Sequence, residues 1–255
     1  MRWLKRWQAS KMHPLGPDFD SAPWMEFDLS GTKVKFRCPR HEVPAPAKQF
    51  AEKVDLYNPD HFKENRGGES MGLTLLYRGW SFWDRPFGEK DIGTLEVRMV
   101  LTRKHPHVRQ FKSFYAITDI QTWILEESEK LWGTENREMW EQRDTYEDEI
   151  DPDADFLQYP RSVEEVDSQV IHGSRWFFYK VFKPSDAPRW FWDTAISDDH
   201  ILTVVFEPGS VMREYFSPEH DIDSAVVKTM YEFIANVHIK LSTDAERCKQ
   251  AALAG

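Results

Sequence analysis

Little in this sequence points to covalent staples, membrane spans or phosphate chemistry. It has two cysteines, Cys38 and Cys248, in 255 residues. A chain of this length buries enough surface to fold without disulfides, and two thiols fit a reducing, cytoplasmic compartment. Cys38 alternates with Val34 and Phe36, which places it toward a core, whereas Cys248 stands in a polar tail. No apolar run approaches the roughly 18–20 residues that cross a bilayer. The first residues, Met1 to Trp7, are basic but lack the apolar stretch of a secretory signal. Trp3, Leu4 and Trp7 have helical spacing and would make one face suited to a membrane surface, although docking onto the protein's own body is the simpler use.

The phosphate-binding glycine loops, the H-E-x-x-H metal pair and C-x-x-C are all absent, so no cofactor or metal is expected. His105-Pro106-His107 offers two imidazoles, but the proline between them and Lys104 beside them argue against a metal clamp. Bases are the scarcer charge: 33 Lys and Arg against 43 Asp and Glu, a net charge of −10. Phosphate backbones need clustered bases, so nucleic acid is not an expected partner.

The acids present are concentrated. Residues 126–155 hold 13 acids and 3 bases, so this window alone carries the whole net charge. At its densest it contains Glu147, Asp148, Glu149, Asp151, Asp153 and Asp155, and such mutual repulsion predicts an extended, solvated loop. Its field would speed docking of a basic partner. Asp151, Asp153 and Asp155 have the first spacings of an EF-hand. Phe156 and Ser162, however, stand where that loop needs Gly and Glu.

Tryptophan (11) and phenylalanine (17) are abundant. Most should fill the core. The sharper use is an aromatic platform for a sugar or other small ligand, built from Trp80, Trp83, Trp190 and Trp192.

Gly68-Glu69-Ser70-Met71-Gly72 fits G-x-S-x-G, the nucleophile pattern of serine esterases, with His200, His220 or His238 as conceivable bases and Asp193, Asp198 or Asp199 as orienters. A nucleophile elbow needs a buried strand before the serine and a helix after it. Here a polar stretch precedes Ser70 and a strand-like stretch follows, so the pattern reads as a glycine turn in a wet, irregular segment.

Alternation predicts a hairpin over Met25–Cys38 around Ser30-Gly31, and a long antiparallel hairpin over 72–103. It also predicts a central strand at 176–182, a hairpin over 189–207, and a further strand at 211–216. Helical spacing predicts a short helix at 47–57 and two main helices at about 119–142 and 222–241, capped by Thr118 or Asp119 and by Asp221 or Asp223. The class is therefore α+β, with mostly antiparallel sheet and both main helices on one side.

Residues 1–24 form an arm, 25–242 a single domain and 243–255 a tail. Phe82-Trp83-Asp84 recurs as Phe191-Trp192-Asp193, each before a strand. This suggests two related halves, about 25–132 and 169–242, separated by an acidic loop at 144–168. The functional expectation is a binding protein that docks a partner protein through its acidic surface, of the adaptor or toxin-neutralising (immunity) type found in bacteria. A serine hydrolase acting through Ser70 and a small-ligand module using the four tryptophans are the alternatives.

Overall fold

The computed structural model describes residues 2–65, 68–146 and 149–254. Among the described residues, twelve strands form two sheets. The smaller contains β1 (Trp24–Leu29), β2 (Thr32–Arg37), β4 (Lys53–Val54) and β12 (His238–Lys240), in the order β12-β2-β1-β4. The larger runs β3-β6-β7-β11-β10-β9-β8, with β5 also paired to β6. Its members are β3 (Lys48–Gln49), β5 (Lys63–Glu64), β6 (Ser70–Trp83), β7 (Asp91–Lys104), β8 (Asp167–Ile171), β9 (Ser174–Val181), β10 (Arg189–Ala195) and β11 (His200–Ser210). All pairings are antiparallel except β1 with β4. The protein is α+β, as the patterning indicates.

The long hairpin is β6–β7. Leu95, Val97, Met99 and Leu101 alternate into the core, and a bulge between Thr74 and Leu76 shifts the register on β6. The hairpin predicted over 189–207 is β10–β11.

The helices are α1 (Arg2–Trp7), α2 (Ile117–Ser128), α3 (Thr134–Glu141), α4 (Pro152–Asp155), α5 (Ile222–Ala235) and α6 (Thr243–Ala254). A π-helical stretch at Glu129–Gly133 joins α2 to α3 without a break, so the helix predicted over 119–142 is nearly continuous. Its cap differs from expectation. Ala116 occupies the N-cap, and Asp119 instead accepts from the backbone N–H groups of Lys112 and Ser113. Asp221 caps α5 by accepting from the Ser224 N–H at 3.1 Å.

Both main helices were expected on one side of the sheet. The structure separates them. Trp176 on β9 and Leu202 on β11 join the core that receives α5, while their neighbours Phe177 and Ile201 face the cluster under α2. A strand aims successive side chains to opposite faces, so α2 and α5 cover opposite faces of the larger sheet.

Three local expectations are not met. Residues 47–57 form β3 and β4 rather than a helix, because Lys48-Gln49 pairs with β6 and Lys53-Val54 with β1. Residues 211–216 are a bend, not a strand. The last main helix stops at Ala235, and His238, expected within it, lies in β12 against β2. The strand expected inside the sheet over 176–182 is β9, paired on one side with β10 and on the other with β8. The two Phe-Trp-Asp tripeptides occupy unlike places, one running off the end of β6 and one within β10. Residues 243–254, called a tail, are the helix α6.

Candidate protein-docking surface

The acidic window becomes the π-linked α2–α3 helix and the segment that folds back beside it. Asn136 on α3 makes the fold-back possible. Its buried amide donates to the Leu157 carbonyl at 2.9 Å and accepts from the Leu157 N–H at 2.8 Å. Leu157 and Tyr159 then pack with Val181, Trp132 and Phe191. The Tyr159 hydroxyl donates to Glu129 at 2.6 Å, and Arg137 donates to the same carboxylate at 2.5 Å. Those two donors hold the Glu129 carboxyl below its usual range. Gly133 allows this approach: a β-carbon there would lie 2.5 Å from Glu129 Oε1 and 2.7 Å from the Tyr159 hydroxyl. We expect Asn136→Ala to cost about 2–3 kcal/mol in urea unfolding, because it strands a buried backbone pair.

Between α3 and the returning segment lies a surface cavity of about 350 Å³, lined by Glu129, Trp140, Glu141, Phe156, Tyr159 and Arg161 among others. Trp140 is 43% exposed and meets Phe156 edge-on at 6.2 Å. The guanidinium of Arg143 lies 4.8 Å from the Trp140 ring centre, and that of Arg161 lies 5.0 Å from Tyr159.

The acidic run is less extended than repulsion alone suggests. Pro152 starts the single turn α4, Asp151 caps it by accepting from the Asp153 N–H, and Asp155 accepts from the Asp151 N–H. Asp151 and Asp155 thus spend oxygens on their own backbone rather than facing a common centre. Glu149, Asp151 and Asp153 are exposed and Asp155 is partly covered. Glu147 and Asp148 lie outside the described residues.

The other candidate residues fall elsewhere. Ser70 opens β6, after a turn at Gly68 with φ +70°. Ser70 itself is 1% exposed, while Lys63 and Glu64 before it are exposed, as expected of a wet segment, though paired as the short strand β5 rather than irregular. Its hydroxyl accepts from Asn65 at 2.9 Å and donates to Glu127 at 3.0 Å. Burial raises the Glu127 carboxyl, and Lys130 lies 3.8 Å away. A strand, not a helix, follows Ser70.

His200 instead meets Ser197 at 2.7 Å through Nδ1, and its Nε2 donates to the Leu56 carbonyl at 2.9 Å. Asp193 is buried within β10. His220 bonds the Glu214 carbonyl. The groups weighed for a triad are therefore not brought together.

The four tryptophans do not share a surface either. Trp80 and Trp192 are fully buried in the main core. Trp83 and Trp190 are half-buried, with the Arg6 guanidinium 4.7 Å over Trp83. Alternation turns Trp80, Trp190 and Trp192 toward the main core, while Trp83 is covered by Arg6 and donates to Glu42 at 3.3 Å, so an exposed platform does not form. Cys38 and Cys248 are both free, Cys38 in the core as expected. Among the described residues, no helix is long and apolar enough to cross a membrane.

The feature that sequence reading missed is the pairing of aromatic walls with the acids. Trp140, Phe156 and Tyr159 were visible as residues, but only the Asn136 clamp brings them to one cavity. The chain matches no protein-family profile, no curated protein sequence and no solved structure.

Proposed function

We propose that this protein binds a partner protein, capturing a basic segment of it on the surface formed by α3 and residues 149–161. The carrying observation is the cavity beside Trp140 and Tyr159, whose rings already hold the chain's own guanidinium groups amid carboxylates. An aromatic face attracts a cation, and neighbouring carboxylates add charge and direction. Arg143 is itself exposed, so an incoming arginine can replace it on the ring. The surrounding acids Glu141, Asp144, Glu149 and Asp153 are exposed and would steer such a segment to the cavity. An adaptor or neutralising role is the matching class of work, carried out by occupancy rather than chemistry.

The test is fluorescence anisotropy with a labelled arginine-rich peptide. Trp140→Ala is expected to weaken binding roughly tenfold, the scale of a lost aromatic anchor. Glu141→Gln with Asp144→Asn and Glu149→Gln should instead slow association, and the difference should vanish at high salt. Equal affinity for wild type and Trp140→Ala removes the proposal.

A further inference from the structure

Two large apolar side chains stand almost wholly in solvent on backbone that disfavours them. Phe87, in the β6–β7 connection, is 96% exposed at φ 65°, and Met212, just past β11, is fully exposed at φ 55°. Left-handed backbone is costly for any residue with a β-carbon, and glycine would remove the cost at both places. Neither side chain returns that cost through packing in the core.

The two tips belong to one end of the molecule. Glu89 pairs with Arg213 at 2.6 Å and also with Lys11, which ties the β6–β7 connection, the bend after β11 and the segment after α1 together. The Trp7 ring meets Phe87 edge-on at 6.0 Å. Arg6 anchors α1 by donating to the Asp84 carbonyl, leaving Leu4 55% and Trp7 53% exposed. Full docking of α1 onto the body is thus not what happens.

The charge of the segment that carries α1 is opposite to that of the whole chain. Residues 2–13 carry four Lys and Arg and no acid, in a chain of net charge −10. We propose that α1, Phe87 and Met212 form a docking face for an anionic lipid surface. Short apolar tips on separate segments suit a medium that deforms around each side chain, and a tryptophan among basic residues suits the headgroup boundary. The cations supply attraction to anionic headgroups, and the acidic remainder of the chain faces away from contact by repulsion. Strained backbone at a tip is then the cost of presenting an apolar group outward.

The experiment is co-sedimentation of the full chain with phosphatidylcholine vesicles, with and without phosphatidylglycerol. Wild type is expected to pellet with the anionic vesicles only, and to be released at about 0.5 M salt, where exposed charges are screened. The double variant Phe87→Gly, Met212→Gly should melt at the same or a higher temperature, because strain is relieved, and should bind roughly tenfold more weakly. Three results overturn the proposal. They are no preference for anionic vesicles, undiminished binding by the double variant, or a dimer in sedimentation equilibrium that the double variant abolishes while vesicles are ignored. The arginine-rich peptide titration is independent of all three, so either proposal can fail alone.

Discussion

Asp193→Asn stabilises the protein at alkaline pH and leaves it newly sensitive to acid. Asp193 is buried in β10, its Oδ1 has no partner, and burial pushes its carboxyl up to about 7 despite bonds from Thr203 and Tyr179. The folded state therefore keeps a proton that the unfolded state releases near the ordinary value of 3.8. Stability falls as pH rises from about 4 to about 7, by about 4 kcal/mol in total. His200 acts in the opposite direction. Burial holds its imidazole down to about 4, so the folded state refuses a proton that the unfolded state accepts near 6.5. Stability falls as pH drops between those values, by about 3 kcal/mol.

The two slopes overlap over most of their span and nearly cancel in the wild type. Asparagine removes one of them. The expected gain at about pH 8 is near 2 kcal/mol, after about 1–3 kcal/mol for an imperfectly matched amide. At about pH 4 no gain remains, because the wild-type carboxyl is already neutral there. Urea unfolding at three pH values checks this, and parallel curves for the two proteins would refute it.

Phe233→Ala is expected to cost about 3–5 kcal/mol, a third or more of a typical domain's stability. Phe233 on α5 is fully buried. Its ring lies 6.0 Å from Phe19 of the arm, 5.7 Å from Phe36 on β2, 5.7 Å from Trp80 on β6 and 5.8 Å from Phe206 on β11. One side chain thus joins the arm, the helix and both sheets. Truncation leaves a cavity that no single neighbour can fill without pulling away from another. The urea midpoint should fall with the slope unchanged. A loss below about 1 kcal/mol would mean that the four partners repack freely.

Elements fixed by their own residues could be read from the sequence. Leu95, Val97, Met99 and Leu101 define β7 because one buried face imposes strict alternation. Ile222, Val226, Met230, Phe233 and Ile234 define α5 for the same reason at the helical period. Elements fixed by a distant partner could not. Phe50, Val54 and Tyr57 have helical spacing, yet backbone groups of β6 and β1 claim residues 48–49 and 53–54. Residues 238–240 continue the pattern of α5 and still leave it for β2.

One missed element did carry a signal. Ser242 accepts from the Ala245 N–H at the start of α6, and Asp244 and Glu246 place acids in its first turn. At the proposed docking surface the acids were legible as composition. The aromatic cavity was not, because it depends on a buried amide 21 positions from the backbone it holds.

The smaller sheet also sets an order of assembly. Its outer strand β12 pairs with β2, and Ser242 reaches Thr32 across 210 positions of sequence. A nascent chain leaving the ribosome therefore carries β2 with one bare flank until almost everything downstream has been synthesised. That flank is open to chance pairing with other chains, and contacts so remote in sequence form slowly. The interval before closure is when the chain is most open to misassembly.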